Sequence, residues 1–370
     1  MLFNAAFTDM ATAPVKALSP SIEPRLRPAI SVRVLEHEQV AWNDYVLSHP
    51  HGSPFHLTAW KNVVESTYGY RSYYLIACEA DKVLGVLPLF LVRNLGGRAL
   101  ISTPFAVYGG ILADSDEVRD SLINGARELG HSLGVQYVEL RNSHEQQCSG
   151  LDRIERYVTF VQELGAEEES ILNKIPRKTR YMVRKSLKQD LSSEIVSHLS
   201  GNFLDLYLKN LRRLGTPAFP RKHFENIFKF FRGMVDIREV CHQGKVAAAV
   251  LTLYFRDQAL PYYGASDPAF SALAPNNFMY FDLMRWSGAN GYRLFDFGRS
   301  RKHGSSSYEF KAHWGMTVRD LPYEIMLIRR KDLPNYSPTN SAFDLPRRVW
   351  SALPLALTRA VGPALVRLFP

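Results

Sequence analysis

"GKVAAAVLTLYF" fills residues 244–255, and "DKVLGVLPLFLV" fills residues 81–92. Each opens on a turn with a lysine and continues as an apolar strand. The likeness extends in both directions. The later stretch leads through "YYGASDP" and a helical run to "GYRLFDFGRS" at 291–300. The earlier one leads through "YGGILAD" and a helical run to "GVQYVELRNS" at 134–143. Lys82 thus stands opposite Lys245, and Gly134 opposite Gly291. Upstream, "SPFHLTAWKNVV" at 53–64 faces "TPAFPRKHFENI" at 216–227. A correspondence this long is a domain duplication, since solenoid repeats recur every ~20–50 residues. A chain of 370 residues suits two domains of about 100–200 residues each.

Each half reads helix, strand, strand, strand, helix, strand, then a loop and another helix. Residues 246–255 and 292–297 are rich in Val, Leu, Phe and Tyr and have the length of buried strands. Between them "NNFMYFDLMRWSGA" at 276–289 predicts a helix, with Phe278, Phe281, Leu283 and Met284 as its apolar stripe and Gly291 as its stop. Strand, helix, strand is the pattern of an α/β unit with a largely covered sheet. The expected organisation is a disordered lead-in over 1–30, rich in proline (Pro14, Pro20, Pro24, Pro28), then a first domain over 31–165. A basic helical connector over 166–200, a second domain over 201–335 and a basic amphipathic tail over 336–370 complete it.

Composition narrows the partners. With 46% hydrophobic and 22% charged residues the chain is an ordinary globular one. The net charge of +9 favours anionic partners: nucleic acid, acidic headgroups or phosphorylated metabolites. Cys78, Cys148 and Cys241 have no metal-ligand spacing and read as buried thiols of a reducing cytosol. The first thirty residues lack the pattern of a signal peptide. No apolar run approaches the ~20 residues that span a bilayer, so a soluble, cytoplasmic body is expected.

"FDFGRSRKHGSSSYEFKAHWG" at 295–315 holds the densest chemistry. On its strand Phe295 and Phe297 share one face, while Leu294, Asp296 and Gly298 share the other. An acid among aromatics is costly to bury unless it is hydrogen-bonded or has a task. "SSYE" has capping-box spacing, with Ser306 at the N-cap and Glu309 at the third helical position. Phe310 and Trp314 lie four apart on the packing face of the short helix, and Gly315 closes it. A basic, Gly/Ser-containing loop before a helix N-terminus suits an anion, but Glu309 would compete with it. Anion site and structural turn both remain open on these grounds. Lys311, read onto the first helical turn, opposes the helix dipole and so points to a negative partner.

With "TPFAVYGGILAD" at 103–114, "NKIPRKTRYMVRKSLKQ" at 173–189, "YYGASDPAFSALAPNNFMYF" at 262–281, and "FDFGRS" followed by "YEFKAHWG", the chain resembles the FemAB family of tandem GNAT-like acyltransferases. It is most similar to the FemAB-like group found with PEP-CTERM/exosortase and exopolysaccharide systems. The similarity spans roughly residues 31–330. It implies mixed α/β sheets in two tandem GNAT-like domains, the acyl-CoA N-acyltransferase fold. It also implies transfer of an acyl or aminoacyl group to an amine on a cell-envelope, peptidoglycan or exopolysaccharide-related acceptor. The donor would be acyl-CoA or aminoacyl-tRNA, with no tightly bound cofactor and no metal.

By motif position Lys311 matches the lysine of the family's Phe-Lys signature, near the transferring centre. Asp296, Arg299 and Ser300 match the strand-end signature. Tyr108, Gly109 and Gly110 match the first-domain motif and Asn276 the second-domain one, with Tyr263 a further candidate for binding substrate or donor. The resemblance thus implies Lys311 and Asp296 as catalytic, with Arg299, Arg301, Ser305 and Ser306 gripping anionic donor or acceptor groups. Two departures bear on the donor. "RKHGSS" (301–306) ends in Ser where the acyl-CoA loop has Gly or Ala, and "RNLGGR" (93–98) lies in a strand-to-strand turn. The connector is also too short for the helical arm of some tRNA-dependent members.

The remaining features are weighed on their own chemistry. "KIPRKTRYMVRKSLK" carries seven basic residues and no acid: either a solvated helix face or a phosphate-steering one. Glu139 occupies the repeat position of Asp296, but the first half lacks the Phe-Lys helix, which places the chemistry in the second half. Lys61, Arg213 and Arg221 are candidate acceptor contacts against ordinary surface exposure. His49, His51 and His56 lack the carboxylate or cysteine spacing of a metal site. There is no P-loop and no nucleophile elbow. The tail, 345–370, repeats Trp350, Leu353, Leu357, Val361, Leu365 and Leu368 among arginines; it suits an anionic membrane interface or docking on the protein itself. Alternatives are an acyl-CoA-dependent acyltransferase acting on a small amine or amino sugar, and a non-enzymatic GNAT-like scaffold.

Overall fold

The computed structural model describes residues 29–37, 39–144, 150–302, 305–334 and 344–370. Residues 1–28 of the lead-in, Cys148 and the pair His303–Gly304 lie outside the described residues. In chain order the first half contains β1 (Ser31–Val34), α1 (Gln39–Ser48), α2 (Thr58–Tyr68), β2 (Arg71–Ser72), β3 (Leu75–Glu79), β4 (Lys82–Leu87), β5 (Phe90–Asn94) and β6 (Gly97–Ile101). It continues with β7 (Leu112–Ala113), α3 (Asp116–Leu133), β8 (Tyr137–Arg141) and β9 (Asp152–Glu163). The second half contains α4 (Glu168–Lys174), α5 (Arg177–Ser186), β10 (Ser192–Val196), α6 (Gly201–Arg213), α7 (Arg221–Phe230), β11 (Val235–His242), β12 (Lys245–Phe255) and β13 (Gln258–Ser266). Then come α8 (Pro275–Ala289), β14 (Leu294–Asp296), β15 (Ser300–Arg301), α9 (Ser306–Ala312), β16 (Thr317–Leu327), α10 (Asp344–Ala352) and α11 (Leu355–Val366).

The two halves repeat one order of elements: two helices, an antiparallel pair opening at Lys82 or Lys245, a long helix and a strand. Local chemistry explains the boundaries. Ser115 caps α3 through its side chain, Asp116 and Glu117 sit at the favourable end of the dipole, and Gly134 ends the helix at φ 62°. β12 is buried on both faces from Ala247 to Phe255, as a covered sheet requires.

The halves do not keep separate sheets. β1, β3, β4 and β7 form a small sheet, and the large one runs β10-β11-β12-β13-β14-β9-β16-β8-β6-β5-β2. At its centre the halves exchange strands. β9, from the first half, pairs with β14 of the second, Asp296 standing opposite Val161. β16, from the second half, pairs with β8 of the first, Tyr323 standing opposite Arg141. β9 and β16 also pair with each other. One apolar cluster joins the halves, containing Trp42, Phe55 and Trp60 from one and Phe224, Phe231 and Tyr263 from the other.

Two expectations about elements change. The connector is helical only through α4 and α5; β10 follows and forms the edge of the large sheet by pairing with β11. The tail is two helices broken at Pro354, both against α6, so its apolar residues do not form one stripe. Trp350 is buried, whereas Leu345, Val349, Leu357 and Val361 face outward. Among the described residues no helix is long and apolar enough to cross a membrane.

Candidate active site

The site begins with an interrupted strand. β14 and β15 both lie along β9, with Ser300 opposite Val158, but between them the ladder breaks after the Phe297 amide, which still donates to the Phe160 carbonyl at 2.9 Å. Gly298 takes φ 70° there, a left-handed conformation that glycine adopts at little cost. The freed carbonyls find one partner. Lys311 Nζ donates to the carbonyls of Phe297 at 2.7 Å, Gly298 at 2.9 Å and Arg299 at 3.2 Å. An ammonium has three hydrogens, and all three are used.

Asp296 holds the other side of the turn. Its carboxylate accepts from the Tyr108 hydroxyl at 2.7 Å, from the Gly298 amide at 2.8 Å and from the Thr159 hydroxyl. These bonds meet the cost of burying an acid that is only 5% exposed. Burial lowers the Lys311 pKa from 10.5 to about 7; Asp296 resists this shift and Arg299 adds to it. Burial first, and the Asp296 carboxylate second, hold the Tyr108 hydroxyl well above its usual range, so it remains a donor.

The helix after the turn differs from the expected capping box. Ser305, not Ser306, is the N-cap of α9, accepting from the Tyr308 amide at 3.2 Å. Glu309 therefore sits one place past the capping position. Lys311 falls in the last turn rather than the first, where a cation suits the dipole, and its partners are carbonyls rather than an anion. With seven residues and a spent cap, α9 offers little to a phosphate. Phe310 packs against Trp314, and Gly315 takes φ 71°.

Beside this turn a parallel pair of strands parts. β13 and β14 pair only at Gln258–Leu294 and Ala259–Phe295. In open α/β sheets, ligands gather at the carboxyl ends of strands where neighbours diverge. Here the loop 103–111 of the first half spans the gap. Tyr262 on β13 donates to the Phe105 carbonyl at 3.2 Å, and Tyr108 reaches Asp296 on β14. Tyr323 on β16 donates to the Val107 carbonyl. Gly110 admits no side chain, since a Cβ there would lie 1.9 Å from Asn142 Oδ1. Asn142 is fixed by Glu324 at 2.7 Å and by the Ile111 amide at 3.1 Å.

The other expected residues are spread around this centre. Arg299 joins it, lying 4.6 Å from the ring centroid of Tyr157 and donating to the Tyr323 hydroxyl at 3.1 Å. Ser300 is buried beside β9. Arg301 continues that strand and lines a groove with Arg153, Arg156 and Lys302. Ser306 is exposed on α9. Asn276 donates to Ser266 at 2.9 Å, and Tyr263 shares a hydrogen bond with His223 at 2.9 Å. Lys61 and Arg221 each pair with a glutamate of their own helix, Glu65 at 3.6 Å and Glu225 at 2.8 Å. Arg213 donates to Asn210 at 2.8 Å and lines a separate groove with Lys209 and Arg212. Of the "RKHGSS" loop, His303 and Gly304 lie outside the described residues.

Thr159, Tyr157, Tyr323 and Arg141 belong to the site without standing out in the sequence. All lie on β8, β9 and β16, whose pairing across the halves no local pattern discloses. The one usable signal is the run of Val, Tyr, Thr and Phe in "RYVTFVQE", the composition of a buried strand. Nearby, α5 carries Arg177, Lys178, Arg180, Arg184 and Lys185 with no acid, and Tyr181 is 68% exposed at its centre. Thr179 on α5 donates to the His313 carbonyl at 2.6 Å, which seats this basic helix against the end of α9.

Comparison with known proteins agrees with this architecture. Residues 177–312 match the acetyltransferase (GNAT) domain family. The second half of the chain is thus similar to acetyltransferase (GNAT) domains. No curated protein matches the sequence. Among solved structures, FemX aligns with a TM-score of 0.63 at 16% identity, covering 80% of this chain and 97% of that one. A tandem GNAT protein from the clavulanic acid biosynthesis pathway aligns at 0.52 and 12% identity, covering 82% of this chain and 100% of its own. The C-terminal domain of a protein described as a lysylphosphatidylglycerol synthetase, from Agrobacterium fabrum, aligns at 0.53 and 15% identity, covering 78% and 91%. At these identities the likeness is one of fold.

Proposed function

We propose that the chain transfers an acyl or aminoacyl group from an activated donor to an amine on a cell-envelope or exopolysaccharide-related acceptor, as the FemAB-like resemblance implies. The observation that carries this reading is the Asp296–Lys311 turn at the carboxyl end of β14, inside the segment that matches the acyltransferase domain family. The acceptor nitrogen attacks the donor carbonyl, forming the C–N bond. The donor's C–O or C–S bond breaks, and the leaving group departs as alcohol or thiol.

Lys311 is proposed as the group that handles the acceptor's proton. A pKa near 7 leaves part of the lysine neutral under ordinary conditions, at the expense of one carbonyl hydrogen bond. Asp296 is a positioning residue: it fixes the turn through Tyr108, Thr159 and the Gly298 amide. Most of the rate would come from orientation and from oxyanion stabilisation by the surrounding donors.

The GNAT match implies acyl-CoA as a donor, and the basic face of α5 supports an RNA-linked one. The amides at the start of α8 give little help to a pyrophosphate. Pro275 has no N–H, and the Asn277 and Phe278 amides already donate to the Ala274 carbonyl. On these grounds aminoacyl-tRNA is the favoured donor. The exposed Leu345, Val349, Leu357 and Val361 of the tail, beside arginines, suit a lipid-linked acceptor at the cytoplasmic face of a membrane.

Melting temperatures test the reading, since a ligand specific for the folded state must raise them. Acetyl-CoA and aminoacyl-tRNA are each added at saturating concentration. One of them is expected to raise the melting temperature by several degrees. No response to either would favour the non-enzymatic scaffold.

A further inference from the structure

A cavity with Arg299 in its lining lies where the halves exchange strands. It encloses about 130 Å³ and is lined by Glu139, Arg141, Arg156, Tyr157, Arg299 and Tyr323, together with Leu368, Phe369 and Pro370 of the tail. The volume corresponds to roughly four waters, enough for one phosphate or carboxylate.

Its charge is one-sided. Three arginines line it against a single acidic side chain, Glu139, and that carboxylate is taken by Arg141 at 2.7 Å. Tyr323 lies between two guanidinium groups, Arg141 at 5.7 Å and Arg299 at 6.0 Å from its ring centroid. Arg141 is otherwise spent on the carbonyls of Thr103 at 2.9 Å and Ala106 at 3.1 Å. Arg299 makes a single hydrogen bond among the described residues, to Tyr323, and its flat face is supported by Tyr157. A guanidinium so held, with donors to spare, is prepared for bidentate recognition of an oxyanion.

Something already occupies the cavity. Arg141 Nη2 donates to the main-chain oxygen of Pro370 at 2.7 Å, and the Tyr70 hydroxyl donates to the Arg367 carbonyl at 3.1 Å. The tail thus places an oxygen acceptor where an anionic ligand would place its own.

We propose that this cavity is a binding subsite for an oxyanionic substrate group, phosphate or carboxylate, with Arg299 as its available cation and residues 367–370 as a displaceable occupant. The inference deepens the transferase reading by naming the chemistry of one substrate group. Its test uses equilibrium binding without a donor, so its failure would leave the transfer reading standing.

Inorganic pyrophosphate and N-acetylalanine, representing a phosphate and a peptide carboxylate, are titrated separately by calorimetry at constant ionic strength. Tryptic cleavage after Arg367 is followed in parallel. One of the two anions is expected to bind, at least tenfold more weakly in Arg299→Gln and several-fold more tightly in Phe369→Ala. The same anion should hasten cleavage after Arg367. Whichever anion binds identifies the source of the oxyanion. Should Arg299→Gln lose its fold by circular dichroism, Arg156→Gln serves in its place, with a several-fold loss expected. Binding of neither anion by the wild type, or equal binding by the folded variant, overturns the subsite. Binding with unchanged cleavage overturns displacement of the tail.

Discussion

Asp296 collects hydrogen bonds from three parts of the chain: Tyr108 in the first half, Thr159 on the shared strand β9 and Gly298 beside it. Tyr108→Phe removes a hydrogen bond to a buried charge and should cost about 1.5–3 kcal/mol, read by urea denaturation. Gly110→Ala drives a methyl into Asn142 and should cost about 1–3 kcal/mol by the same measurement. Lys311 gives a signed pH dependence. Its folded pKa of about 7 lies below the ordinary 10.5, so the unfolded chain holds more protons between these values. The cost of the buried charge is full below pH 7 and fades as pH rises towards 10.5. Wild type should therefore gain stability relative to Lys311→Met on going from pH 7 to pH 10, and an unchanged difference would count against the buried cation. At this scale the family resemblance singles out Asp296 and Lys311 together as candidates, and the structure sets them on either side of one turn. The sequence does not show that Lys311 meets carbonyls, because those carbonyls are freed only by the break between β14 and β15.

Short elements are harder to read from sequence than long ones. α8, with its apolar stripe, and the strand β12 stand out because burial imposes a period or a continuous run. The N-cap of α9 falls one residue before the expected capping box because three successive serines offer three equivalent caps. Of the three, Ser305 is the one whose hydroxyl accepts from the Tyr308 amide. Ser305→Ala should accordingly cost about 1 kcal/mol, and Ser306→Ala almost nothing, by thermal denaturation. β10 is illegible in the sequence because it is an exposed edge strand, whose polar residues carry little pattern. α5 makes a prediction of its own. Changing Arg177, Lys178, Arg184 and Lys185 to glutamine should weaken aminoacyl-tRNA binding. It should also flatten the salt dependence by about one unit of slope for each phosphate no longer neutralised. Acetyl-CoA binding should be little affected; equal weakening for both donors would remove the case for an RNA-linked one.

At the scale of the whole molecule the duplication is legible as a repeat of motifs, whereas the exchange of β9 and β16 is not. Both strands look local in sequence and find their partners only across the halves. The exchange has a thermodynamic consequence. Neither half can complete its sheet alone, so the full chain should unfold in one calorimetric transition with equal van't Hoff and calorimetric enthalpies. Residues 31–165 expressed alone should lack cooperative unfolding; two separate transitions in the full chain would contradict this. The shared strands also bring Tyr108 of one half to Asp296 of the other, which makes the proposed site a property of both. The most direct test of that site is amide formation itself. Wild type and Lys311→Met are incubated with acetyl-CoA or aminoacyl-tRNA and a panel of amino-sugar and peptide amines, and acylated product is counted by mass spectrometry. Wild type should acylate at least one amine, and Lys311→Met should do so about 10²–10⁴-fold more slowly. No acylated amine from either donor, or an unchanged rate in the folded variant, would contradict the account.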